Sequence, residues 1–236
     1  MQTIHLCIVR HGETDWNAER RLQGQADIGL NATGRAQAQA IRTHLRTHLR
    51  TQHFAAAYSS DLARAWRTAE IALTGTPLAA PQGDFPETAL HSLRSDSKLC
   101  GVSPAPTFRE RDYGRYQGLT ATDAARDHPA MHAAHQARDI HYDYEGGESL
   151  VTFAARVTAG MQVLAERHAG EQVLLFTHGG VLDIIYRMAT QRSLDSPRDF
   201  PIPNAALNWL EYARGQWKIL VWADQSHLAG TLDEVA

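Results

Sequence analysis

The triplet Arg10-His11-Gly12 sets a guanidinium fork, an imidazole and a residue without a side chain in succession. An arginine can hold an anionic oxygen through paired N–H groups, an imidazole nitrogen can attack phosphorus, and a glycine lets the backbone come close. The run that delivers them, Ile4 to Val9, is short, apolar and rich in branched residues, the pattern of a buried strand ending in polar residues. A second such run, Val173 to Thr177, ends in His178-Gly179-Gly180. Asn17 and Gln23-Gly24 add amide donors after the first triplet. Arg64 falls on the first turn of a helix expected from Asp61, where exposed N–H groups favour an anion. Taken alone, Arg-His-Gly is equally compatible with a structural strand end, and Asn17 and Gln23 with turn caps. Two imidazoles and two guanidinium groups facing each other are unfavourable in an interior unless an anion pairs them, and a phosphate would do so.

These residues need elements to position them. Thr33 to Arg50 carries Ile41, Leu45 and Leu49 at four-residue spacing, an amphipathic helix capped by Asn31 or Thr33. Phe54 to Tyr58 reads as a strand leading through Ser59, Ser60 and Asp61 into a helix ending near Leu73. Ser149 to His168 is a third helix, with Phe153, Val157, Met161 and Leu164 on one face and Gly170 as a stop. Leu207 to Tyr212 and Trp217 to Trp222 flank a turn at Ala213 to Gln216, as an antiparallel hairpin would. Strands alternating with helices predict an α/β protein with a mostly parallel central sheet flanked by helices in three layers, whose ligands gather at the carboxyl ends of strands. Both His-Gly pairs would lie there. From about Gly75 to Thr107, Pro77, Pro81, Pro86, Pro104 and Pro106 predict a long loop or partial cap.

The 236 residues are 43% hydrophobic and 21% charged, which excludes disordered, collagen-like and coiled-coil classes and fits one domain spanning 1–236. A net charge of −3 gives no basic field for nucleic acid or an anionic membrane, so an anion site must be built locally. Cys7 and Cys100, far apart and outside any CxxC pattern, fit a reduced compartment. The start shows no secretory signal and no window has the apolar length of a membrane span, so a cytoplasmic location is expected.

The string Val9 to Asn17, VRHGETDWN, resembles the signature of the histidine phosphatase superfamily, also called phosphoglycerate mutase-like. The resemblance extends in order through Gln23-Gly24, Leu30 with Gly34, Ser59 to Ala65 with Thr68-Ala69, and Phe108-Arg109-Glu110 with Gly114 and Gly118. It continues through Gly146 to Ser149, Thr177 to Gly180, Pro203-Asn204-Ala205 and His227-Leu228. It implies a phosphoglycerate mutase-like fold and a phosphomonoesterase in which His11 becomes a phosphohistidine. Arg10, Arg64 and His178 would complete the catalytic phosphate pocket, Asn17 and Gln23 would add phosphate contacts, and Glu110 would protonate the leaving oxygen. Glu110 is also open to a surface ion pair with its neighbours Arg109 and Arg111. No metal or organic cofactor is implied, and the partner is a small-molecule phosphate ester, with nucleic acid and membrane excluded.

Chemistry supports these roles. Phosphoryl transfer depends on positioning and on stabilising charge at the equatorial oxygens, which suits a rigid ring of arginines and amides. His11 must attack through an unprotonated nitrogen. Arg10 and Arg64 lower its pKa, and a bond from its other nitrogen to a backbone carbonyl would fix the tautomer.

Within the same superfamily, a phosphoglycerate mutase would return the phosphate to another hydroxyl. Gln23, where mutases usually carry a small hydroxyl residue, and the lack of a lysine between Arg111 and Ala121 argue against it, although Arg111 and Arg115 remain available. A non-catalytic phosphate-binding regulator is a third reading, opposed by the presence of every motif residue. Between Thr68 and Glu110 the chain is longer than compact members of the family, and Asp84, Glu87, His91, Arg94, Asp96 and Lys98 there would either cap the pocket or lengthen a surface loop. His128, His132 and His135 have the spacing of a metal-binding helix face, yet lack an obvious carboxylate or cysteine beside them and read as a solvated face. Arg42, Arg46 and Arg50 read as another, and Trp209, Trp217 and Trp222 as core or edge packing rather than base-stacking surfaces.

Overall fold

The computed structural model describes residues 2–48, 53–76 and 101–229. Its strands are β1 (Ile4–Arg10), β2 (Ala56–Ser59), β3 (Val102–Pro104), β4 (Gln172–Thr177), β5 (Leu207–Ala213) and β6 (Gln216–Asp224). Its helices are α1 (Asp15–Ala18), α2 (Ala32–His48), α3 (Ala63–Leu73), α4 (Ala121–Asp127), α5 (Pro129–Gln136), α6 (Leu150–Arg167) and α7 (Gly179–Thr190). The sheet runs β3-β2-β4-β1-β5-β6. Its first four strands are parallel, and β5 and β6 close it as the expected antiparallel hairpin.

Period-two alternation splits each central strand between two cores. Ile4, Leu6 and Ile8 of β1 and Val173 and Leu175 of β4 pack with Phe153, Val157, Met161 and Leu164 of α6 and with Val181, Ile184 and Ile185 of α7. Cys7, Val9, Leu174 and Phe176 pack on the other face with Ile41 and Leu45 of α2 and Ala69, Ala72 and Leu73 of α3. These are the three expected layers. A smaller cluster joins Ala124 of α4 and Met131 of α5 to Tyr116 and Tyr144.

Caps fix where the helices begin. Asn31, rather than Thr33, caps α2, its side-chain oxygen accepting from the Gly34 N–H at 2.8 Å. Ser149 caps α6 as expected. Helix α3 starts two residues later than its sequence suggests, because Ser60 Oγ accepts from the Leu62 N–H at 3.3 Å and Asp27 Oδ1 accepts from the Ala63 N–H at 2.6 Å. The β5–β6 turn is tighter than the four residues expected. Arg214 and Gly215 both have positive φ, 54° and 82°, as in a two-residue turn matched to strand twist.

Two readings are corrected. The proline-rich stretch is not loop to its end: β3 pairs with β2, setting Val102 against Ala57 and Pro104 against Ser59. Proline marked it as loop, but an edge strand tolerates a missing N–H. Residues 77–100, with the candidate cap residues Asp84 to Lys98, lie outside the described residues, as does Arg50. The three histidines do not share a solvated helix face. His128 sits at the α4–α5 junction, and the ring Nδ1 atoms of His132 and His135 hydrogen-bond the Tyr116 and Tyr144 hydroxyls at 3.0 and 2.8 Å. No helix among the described residues is long and apolar enough to cross a membrane.

Candidate active site

Strands β1 and β4 are parallel neighbours with Arg10 opposite Thr177, and the His11 N–H donates to the Thr177 carbonyl at 2.9 Å. Their next residues therefore leave the sheet together. The His11 and His178 rings stand 5.2 Å apart at 55°. Gly12 follows because nothing larger fits: a Cβ there would lie 2.4 Å from the Gly34 carbonyl oxygen. Its N–H donates to Thr68 Oγ1 at 3.0 Å, tying the β1 end to α3.

A cavity of about 570 Å³ opens over these strand ends. Six of the seven residues singled out by sequence, Arg10, His11, Asn17, Gln23, Arg64 and Glu110, line it. His178, fully buried beside His11, stands behind the lining rather than across the cavity.

His11 Nδ1 hydrogen-bonds the Gly12 carbonyl at 2.7 Å. A carbonyl only accepts, so Nδ1 carries the proton and Nε2 of the neutral ring keeps its lone pair. Burial, reinforced by Arg64 and Arg10, holds the pKa of His11 well below the usual imidazole value. His178 is depressed for the same reasons, burial first. Its Nε2 meets Ser60 Oγ at 2.7 Å, while its Nδ1 has no partner among the described residues. With Ser60 donating to Nε2, the ring proton lies on Nδ1 and is available to an anion.

The two arginines are anchored on one side and open on the other. Arg64 donates to the carbonyls of Ala26 at 2.9 Å and Gly24 at 2.6 Å, and Arg10 donates to that of Ile202. The Nε of each is buried without a partner among the described residues. Burial pushes both guanidinium groups down to about 10, with Glu110 opposing, so both remain charged near neutrality.

Glu110 is not a surface ion-pair residue. Its Oε1 accepts from the Arg111 N–H at 2.8 Å and its Oε2 from the Gly180 N–H at 2.9 Å, docking it on the first turn of α7. Arg109 pairs instead with Asp61, and Arg111 donates to the carbonyls of Glu148 and Tyr142. Asn17 both caps and lines the cavity: its Oδ1 accepts from Thr14 at 3.2 Å, leaving the amide N–H groups of that side chain as donors. Asn204 Nδ2 donates both to the His11 carbonyl at 3.0 Å and to Asn17 Oδ1 at 3.3 Å.

Sequence reasoning overlooked Ser60 as the partner of His178, reading it only as a helix cap. It did not point to Arg138 and Asp183 as cavity residues, and it read His135 as part of a solvated face, yet all three line the cavity. No local pattern marks them, since only the packing of α5 and α7 brings them to it. Among the described residues no group of three or more His, Cys, Asp or Glu is placed to hold a metal ion.

A model of the histidine phosphatase superfamily (branch 1) matches residues 6–83 and 87–225. The chain is 35% identical to phosphoglycerate mutase-like protein 4 of Arabidopsis thaliana, over 96% of this chain and 87% of that protein. It is 34% identical to metal-independent phosphoserine phosphatase of Arabidopsis thaliana, over 97% and 84% respectively. The solved structure of YhfR from Bacillus stearothermophilus superposes with a TM-score of 0.78 at 28% identity, covering 95% of this chain and 99% of that one.

Proposed function

The chain belongs to branch 1 of the histidine phosphatase superfamily, and from that premise we propose that it is a phosphomonoesterase working through a phosphohistidine on His11. His11 Nε2 attacks phosphorus while the ester P–O bond breaks, and Glu110 delivers a proton to the departing oxygen. Water, deprotonated by Glu110, then attacks the phosphohistidine and frees inorganic phosphate and His11. Arg10 and Arg64, with Asn17, Gln23 and His178, hold the phosphoryl oxygens as their charge redistributes.

The observation that carries this reading is the pair of buried guanidinium N–H donors without partners among the described residues, Nε of Arg10 and Nε of Arg64, with the unpartnered Nδ1 of His178, around a nucleophile already in its attacking tautomer. Buried donors of this kind call for an acceptor with several oxygens, and a phosphoryl group has them. The relative named as a phosphoserine phosphatase supports hydrolysis over retention of the phosphate. A mutase would return the group to a second hydroxyl and release little inorganic phosphate.

Incubation with p-nitrophenyl phosphate and a panel of metabolite esters, with His11→Ala as the blank, tests it. The expected result is steady release of inorganic phosphate and an acid-labile, alkali-stable phosphoenzyme, both lost in the variant. Undiminished release by His11→Ala would refute the assignment.

A further inference from the structure

Besides the residues proposed to meet the phosphoryl group, the same cavity is lined by Asp183 of α7. This carboxylate is buried, its side chain 8% exposed, and its two oxygens are used unequally. Oδ2 accepts from Arg138 Nη2 at 2.6 Å and from Arg187 Nε at 3.0 Å. Oδ1 has no partner among the described residues. Arg187 does not claim it by a two-pronged bridge: its Nη2 is likewise unpartnered, and its Nη1 is spent on the Ser193 carbonyl and Ser196 Oγ. A role in anchoring Arg138 and Arg187 thus accounts for one oxygen and leaves the other, buried in the cavity wall, without a partner among the described residues.

The position of Asp183 along the helix gives that oxygen a purpose. Glu110, the proton donor, docks on the Gly180 N–H. Asp183 lies three residues further on, on the same face of α7, after a rise of about 4.5 Å. An ester oxygen resting at Glu110 would bring an atom two or three bonds along the alcohol within reach of Asp183. We infer that Asp183 is a specificity-determining acceptor for a hydroxyl or ammonium group carried two or three bonds from the ester oxygen, so that polar phosphate esters are preferred to alkyl ones. This rests on the phosphomonoesterase reading.

The test compares kcat/KM for glycerol 1-phosphate, which offers a hydroxyl, phosphoethanolamine, which offers an ammonium, and propyl phosphate, which offers neither, with p-nitrophenyl phosphate as a check on hydrolysis itself. One or both polar esters should exceed propyl phosphate by about 10- to 100-fold, the value of a buried hydrogen bond to a charged group. The more favoured of the two identifies the donor. In Asp183→Asn the preference should shrink to about threefold or less, chiefly through KM, a change that a merely structural role would not produce. Asp183→Glu keeps the charge for the two arginines and displaces the open oxygen, so it should lose the preference too and serves if the first variant fails to fold. A wild-type ratio within about twofold, or a ratio unchanged by both substitutions, overturns the inference while hydrolysis of p-nitrophenyl phosphate stands. Failure to hydrolyse any of the four overturns the phosphomonoesterase reading and this inference with it.

Discussion

An imidazole buried beside two guanidinium groups stays neutral, so its Nε2 carries no proton that must be lost before attack. The pKa of His11 is depressed, so protonation silences it only in acid well below the usual imidazole range. The acid limb of kcat/KM for p-nitrophenyl phosphate attributable to His11 should therefore fall well below pH 6.5, and a limb centred at 6.5 would contradict the burial argument. Stability follows the same sign. Between the depressed folded value and the ordinary unfolded one, the unfolded chain binds more protons, so stability is level above about pH 6.5 and declines as the pH falls below it. His178 adds to this, and His135, lowered to about 4 by burial with Arg111 next, does so down to that pH. At this scale the phosphate end of the site was legible because its residues sit at strand ends and helix starts, where short motifs report geometry. Asp183 and His135 were not, because their proximity to the cavity arises only when α5 and α7 pack.

Helices announce themselves through spacing, and α6 is the clearest case, with Phe153, Val157, Met161 and Leu164 all buried against the sheet. Met161→Ala should cost roughly 2–5 kcal/mol through lost transfer energy and the residual cavity, read from the midpoint of urea unfolding at constant slope. A loss within about 0.5 kcal/mol would mean that the site collapses or is less tightly packed than its burial implies. Strand β3 shows the opposite: three residues, one of them Pro104, carry no periodicity, and only pairing with β2 makes them a strand. The cap that Asp27 provides for α3 was equally hidden, since a carboxylate far along the chain leaves no mark in the helix's own sequence. Local elements are readable where a residue pattern and its partners lie within a few turns of one another; long-range caps and edge pairings are not.

Across the whole molecule, charge is arranged against its own average. The chain carries −3, yet Arg10, Arg64, Arg111, Arg138 and Arg198 all line one cavity. A dianionic ester should be drawn there, and raising ionic strength from about 0.02 to about 0.2 M should lower kcat/KM severalfold while changing kcat much less. A flat salt response would show that the cavity's carboxylates cancel the attraction. The hydrogen bond from the His11 N–H to the Thr177 carbonyl joins strands far apart in the chain. Renaturation must complete this long-range pairing before the nucleophile and its neighbouring imidazole meet, so regained turnover after dilution from denaturant should lag helix formation and coincide with the last cooperative phase. Fragments lacking either end would acquire helices yet remain inert.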